Sequence, residues 1–208
     1  MPTLGIDLND IAKITPKKKI NSKSKGKTGE YYFANFLSEV SGMKYMKVPA
    51  SGAILGASNQ QKVLQLTAGV ANIFLGDLIP PSNLKVKQIL ECKNYAEKAF
   101  SFKKLKTQKT NAKIDEWLGQ LLHDCITSQM TNDPRPLLPL LLIKITGVGS
   151  WVCYNKDYIQ KLFPGIALDK EFECIKEIPA NLNIGLGKEF YMTDFKKWVE
   201  KNKSLLFQ

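Results

Sequence analysis

Glu91-Cys92-Lys93 sets a carboxylate and an ammonium two residues apart. On an extended strand residues i and i+2 share a face, so these two side chains project together and Cys92 turns toward the core. Asp77 stands fourteen residues earlier, in a short Gly76-Asp77-Leu78-Ile79 segment closed by Pro80-Pro81. The run Val86 to Lys93 reads as the following strand, and the two are expected to form a hairpin-like unit with Asp77 on one arm and Glu91 on the other. Two crowded carboxylates repel unless a cation sits with them. Their hard oxygens suit Mg2+, with Mn2+ able to substitute. Such an ion polarises a phosphodiester and acidifies water, and a lysine beside it orients that water or offsets charge growing on the phosphate. The chemistry implied is phosphodiester hydrolysis. Taken alone, a Glu-x-Lys pair on a strand is equally a surface ion pair.

Composition narrows the choice. Thirty Lys plus Arg against nineteen Asp plus Glu give a net charge of +11, which favours a polyanionic partner. There is one arginine, Arg135, so bidentate reading of guanine has little scope and DNA would be recognised by shape. His123 is the only histidine, which removes histidine-rich zinc sites and His-metal nucleases and leaves carboxylates to carry any metal chemistry. The four cysteines lie far apart with no C-x-x-C pair and read as reduced thiols in a cytoplasmic protein, of a bacterial cell or a phage-infected host. The first ten residues do not read as a signal peptide, and the longest apolar run, Leu137 to Ile145, is too short to span a bilayer; no membrane association is expected.

The elements that must position the acids follow from periodicity. Residues 1–28 read as a flexible basic arm: Lys13 to Lys27 holds seven lysines and no acid, with Lys23, Lys25 and Lys27 as candidate DNA contacts. Residues 29–208 read as a single domain. Thr28 is expected to cap a helix carrying Tyr32, Phe33, Phe36, Leu37 and Val40, with Glu30 in its first turn and Gly42 at its end. A strand, Lys44 to Val48, leads to Pro49-Ala50-Ser51-Gly52. The segment 53–76 is expected to be a mobile loop or hairpin. After Lys93 comes a lysine-dense stretch, in which Lys103, Lys104 and Lys106 are further candidate DNA contacts. A helix from about Ile114 to Gln129 follows, with Trp117, Leu118, Leu121 and Leu122 on one face. His123 reads as structural and Asp124 as solvated. Strands Leu138 to Ile145 and Trp151 to Tyr154 join at Gly147-Val148-Gly149. A short helix, 157–163, comes next, then a strand, Glu189 to Met192, and a last helix, Asp194 to Lys201, capped by Thr193. Trp117, Trp151 and Trp198 fall on apolar faces and belong in the core. The order predicts an α/β fold with a mixed central sheet flanked by helices.

Gly76-Asp77 with Glu91-Cys92-Lys93 resembles the PD-(D/E)XK nuclease superfamily, with Gly76 where that family usually has proline. Gly26-Lys27-Thr28-Gly29-Glu30 and Val48-Pro49-Ala50-Ser51-Gly52 are similar to the Holliday junction resolvases of archaea, bacteria and phages. The resemblance covers roughly residues 23–155 and implies a restriction-endonuclease-like core, with the catalytic part at about 29–155. It implies that Asp77, Glu91 and the carbonyl of Cys92 bind the metal, with Glu30 completing its shell. It further implies that Lys93 positions the attacking water, Ser51 contacts the phosphate, and Gln120 matches a glutamine of related nucleases. More than twenty residues separate Ser51-Gly52 from Asp77, where archaeal members have a short link.

The function expected is that of a metal-dependent, structure-selective DNA endonuclease. A four-way junction resolvase of recombination and repair leads, acting on branched or duplex DNA as a homodimer, because two symmetric cuts need two active sites. The competing readings are a repair or restriction-type endonuclease with the same core, and a non-catalytic basic DNA-binding protein.

Overall fold

The computed structural model describes residues 22–49, 75–97, 100–129, 131 and 133–208. Helix α1 (Ser22–Ser41) is followed by β1 (Met46–Lys47), β2 (Leu78–Ile79) and β3 (Lys87–Ala96). Helices α2 (Phe102–Gln108) and α3 (Ala112–Gln129) lead to β4 (Leu137–Thr146) and β5 (Gly149–Asn155). Helix α4 (Lys156–Leu162), β6 (Phe172–Ile175), β7 (Glu189–Asp194) and α5 (Phe195–Leu206) complete the chain.

The main sheet has the order β3-β4-β5-β7-β6. Strands β3 and β4 are parallel and the remaining pairs antiparallel. A parallel pair cannot be closed by a tight turn, and here the crossover is α2 and α3. β4 is apolar almost throughout because both its faces are covered. Leu138, Leu140 and Leu142 join one core with Phe33, Leu37 and Trp198. Leu141, Ile143 and Ile145 join the other with Trp117 and Leu121. This is an α/β restriction-endonuclease-like fold: a mixed sheet with α1 and α5 on one face and α2 and α3 on the other. All three tryptophans are buried, as their apolar faces predict. No helix among the described residues is long and apolar enough to cross a membrane.

Several expectations change. Helix α1 begins at Ser22, so Thr28 lies inside it and Lys23, Lys25 and Lys27 belong to the helix rather than to an arm. The stretch Ser22 to Gly29 has no apolar residue to reveal this. What holds it is close packing: a Cβ on Gly29 would lie 2.6 Å from that of Asn94 on β3. Asp194, not Thr193, caps α5 by accepting from the Lys197 N–H at 2.9 Å. Strand β6 is an addition that periodicity does not foreshadow. His123 is exposed on α3. Most consequentially, β2 pairs with β1, not in a hairpin with β3: Met46 faces Ile79 and Lys47 faces Leu78.

Gly76 explains that arrangement. Its φ of +72° lies in the left-handed region, and a Cβ there would sit 2.8 Å from the Leu90 carbonyl oxygen. Its N–H donates to Asp124 Oδ2 at 3.0 Å. Proline fits none of this, since it fixes φ near −65° and has no N–H. Gly76→Pro is therefore expected to destabilise the protein by about 3 kcal/mol or more, from backbone strain and the lost hydrogen bond to Asp124 together, read as a fall in Tm. An unchanged Tm would contradict the strained turn.

Arg135 clamps the turn between β2 and β3 to the segment entering β4. It donates to the carbonyls of Ser82 and Leu84 at 2.9 and 3.3 Å and to Asp133 Oδ2 at 2.7 Å. The hydrogen bond from Arg135 outweighs partial burial and holds the Asp133 carboxyl down at about 2. A carboxylate depressed by folding adds stability that is complete above its unfolded pKa, 3.8 here, and lost as pH falls through 2. Asp133→Asn is therefore expected to be less stable than wild type at neutral pH, with the difference closing between pH 4 and 2 in paired denaturant titrations. A difference independent of pH would refute this role of the charge.

Candidate active site

Asp77 is the residue on which β1, β2 and β3 meet. Its N–H donates to the Leu90 carbonyl of β3 at 2.7 Å, and its carbonyl accepts from the Val48 N–H, just after β1, at 3.0 Å. Its side chain carries the contact to β3 one step further: Oδ2 accepts from the Cys92 N–H at 2.8 Å. The carboxylate thus occupies the outer edge of β3, where a neighbouring strand would otherwise bond, and is fixed one residue from Glu91.

Glu91 and Lys93 share a face of β3, as the strand period requires. Lys93 Nζ lies 2.6 Å from Glu91 Oε1 and 2.5 Å from Gln120 Oε1 on α3. The ammonium has three hydrogens, and two are engaged by these partners. Burial works against the Lys93 charge, but Glu91 and then Asp77 outweigh it and raise its pKa above the ordinary lysine value. Burial first, and then the neighbouring Asp77, push the Glu91 carboxyl up, to about 8, against the pull of Lys93. Lys93 therefore offsets only part of what burial and the neighbouring Asp77 cost the Glu91 charge.

Asp124, expected from its sequence to be solvated, is instead half-buried, bonded to the Gly76 N–H, and pushed up to about 6 by burial, with the Gly76 bond opposing. Nothing in its sequence neighbourhood signals this, because the partner is a backbone group of another element. Lys47 is equally silent in the sequence: its ammonium is ion-paired with Glu30, beside the Val48–Asp77 bond.

The predicted residues therefore divide. Asp77, Glu91, Lys93 and Gln120 form one connected group. Glu30 lies at its margin, buried and tied to Lys47. Ser51 and nearly all of the 53–76 segment lie outside the described residues. Lys27, Lys103 and Lys106 are exposed on α1 and α2; Lys23, Lys25 and Lys104 are placed by those same helices.

Among the described residues, no three His, Cys, Asp or Glu side chains gather to hold a metal. The local geometry offers two side chains and a main-chain oxygen. In a strand the N–H and C=O of one residue point to the same side. Since the Cys92 N–H meets Asp77, the Cys92 carbonyl faces that edge as well. Two carboxylates with a carbonyl, all hard oxygens, fit a divalent cation of the magnesium type.

Comparison with protein families supplies an independent finding. Residues 21–208 match the family model described as "Phage putative PDDEXK endonuclease". Comparisons with curated proteins and with solved structures give no significant match. The match spans nine-tenths of the chain and contains the whole Asp77, Glu91-x-Lys93 group, so the chain belongs to the phage PD-(D/E)XK endonuclease family.

Proposed function

We propose that this protein is a divalent-metal-dependent DNA endonuclease selective for branched substrates, a four-way junction resolvase working as a homodimer in the cytoplasm of the infected host. The observation that carries the catalytic reading is the connected set Asp77–Cys92 amide and Glu91–Lys93–Gln120. The junction preference rests on the similarity of Gly26–Glu30 and Val48–Gly52 to resolvases, and on a surface of lysines with a single arginine, suited to backbone and shape rather than base edges.

In this mechanism Asp77, Glu91 and the Cys92 carbonyl would hold the cation, Mg2+ or Mn2+, with Glu30 completing its shell. When bound, the ion supplies the charge that polarises the phosphate and acidifies water. Lys93 orients the attacking water with the N–H that Glu91 and Gln120 leave over. Gln120 keeps the ammonium from collapsing wholly onto Glu91. Ser51 contacts the phosphate beside the cut. Exposed Lys27, Lys103 and Lys106, with Lys23, Lys25 and Lys104, grip the flanking backbone.

The decisive experiment compares a labelled four-way junction with linear duplex of the same sequence, in Mg2+ and in chelator, for wild type and Glu91→Ala. Paired symmetric nicks in the junction alone, abolished by chelator and by the substitution, are expected. Cutting of both substrates would leave a repair or restriction-type nuclease. Binding without any metal-dependent cutting would leave a DNA-binding protein. Gln120→Ala, which frees Lys93 from one of its two restraints, is expected to lower kcat by roughly 10- to 100-fold, the range for a misplaced catalytic group, with little change in KM. An equal loss in KM would assign Gln120 to DNA binding.

A further inference from the structure

Two residues beyond Cys92, the α1 face of the sheet changes character. Cys92, Leu142 and Val152 face one another across β3, β4 and β5 and pack in the core under α1. The next row on that face is Asn94, Lys144 and Ser150, again in register. The row is polar, and Tyr32 of α1 lies over it with its hydroxyl 3.0 Å from Ser150 Oγ.

Two ammonium groups converge on the Tyr32 ring. Lys144 Nζ is 3.9 Å from the ring centroid and Lys196 Nζ, from the first turn of α5, is 5.5 Å from it. Lys196 is also 5.1 Å from the Phe36 centroid. The two charges therefore lie within about a Debye length, ~10 Å at 0.1 M salt, and repel. An aromatic face attracts cations but carries no net charge to cancel two of them. Neither lysine has an acidic partner among the described residues. Asp194 is engaged in capping α5, and Glu200, one turn along, makes no ion pair with Lys196. The missing complement is an anion.

The position says which anion. Lys144 is one strand across from Asn94, itself two residues along from Cys92. At ~3.3 Å per residue and ~4.8 Å between strands, its backbone is about 8 Å from that of Cys92. We infer that Lys144 and Lys196, held by Tyr32, form a clamp for a DNA backbone phosphate flanking the scissile bond, on the sheet face opposite the Glu91 and Lys93 side chains, where the strand wraps the β3 edge. The clamp rests on the nuclease reading and adds the track along which substrate leaves the catalytic edge, across the α1 face toward α5. Tyr32 is the positioning residue and the two lysines bind the phosphate.

The test is equilibrium binding of a labelled four-way junction and a duplex, in chelator, over a series of salt concentrations. Wild type is compared with Lys144→Ala/Lys196→Ala, with Lys144→Arg/Lys196→Arg, with Lys196→Ala alone, and with Lys85→Ala/Lys161→Ala, which removes the same charge elsewhere. Removing a lysine that neutralises one phosphate lowers the slope of log K against log salt by about 0.9. The double alanine variant is expected to show a slope smaller by about 1 to 2 units and an affinity weaker by about tenfold or more near 0.1 M salt. Lys196→Ala should show roughly half of that effect, and the arginine pair should keep the wild-type slope. In Mg2+ the defect should fall on KM more than on kcat. If the double alanine variant matches the Lys85/Lys161 control, or if the arginine pair is as weak as the alanine pair, the clamp is refuted while the nuclease reading stands. If wild type binds neither DNA, both fall.

Discussion

Everything near the Asp77, Glu91 and Lys93 group depends on the edge of β3 being met by Asp77 rather than by a full neighbouring strand. One backbone hydrogen bond, to Leu90, is followed by one side-chain hydrogen bond, from Cys92. A regular ladder would have satisfied the same groups with amides and carbonyls and left no carboxylate at the edge. The left-handed turn at Gly76 is what ends the ladder, and Asp124 holds that turn from α3. Structure and chemistry meet here because a strand edge must be covered by something polar, and here the cover is an acid.

The second constraint is electrostatic. Burying Glu91 beside Asp77 is unfavourable, and one lysine does not offset it. Lys93 pairs with Glu91 and also donates to Gln120 Oε1, which fixes the ammonium between the strand and α3. The carboxylate oxygens at the β3 edge suit a divalent cation, while the chain's net charge of +11 favours an anionic partner. The two groups have opposite sign and lie apart: acids at the β3 edge, and lysines such as Lys27, Lys103 and Lys106 exposed on α1 and α2.

Much of this is legible from residue types. Glu91 and Lys93 declare a shared face by strand period alone, and β4, apolar on both faces, can only be a covered central strand. The apolar stripe of α3 gives that helix to within two residues. The rest is hidden for identifiable reasons. The first turns of α1 are built from Ser, Lys, Thr and Gly, so no hydrophobic spacing marks them, and their support is the clearance at Gly29. Strand β6, Phe172–Ile175, has four residues and mixed polarity, too little for a period. Thr193 and Asp194 are both good capping residues and sequence does not choose between them. Asp124 looks like any helix acid until the Gly76 amide is seen to reach it. The pairing of β2 with β1 is invisible because about thirty residues separate them.

The parallel pairing of β3 with β4 also sets an order on assembly. β4 and β5 are joined by a tight turn at Gly147 and can find each other locally, whereas β3 must wait for the whole α2–α3 excursion to close behind it. Asp77 can bond Cys92 only once β3 is in place. The Asp77–Cys92 contact is therefore expected to form late, because it sits on the strand whose ladder partner is the most remote in sequence among the described pairs, and that closure must precede it.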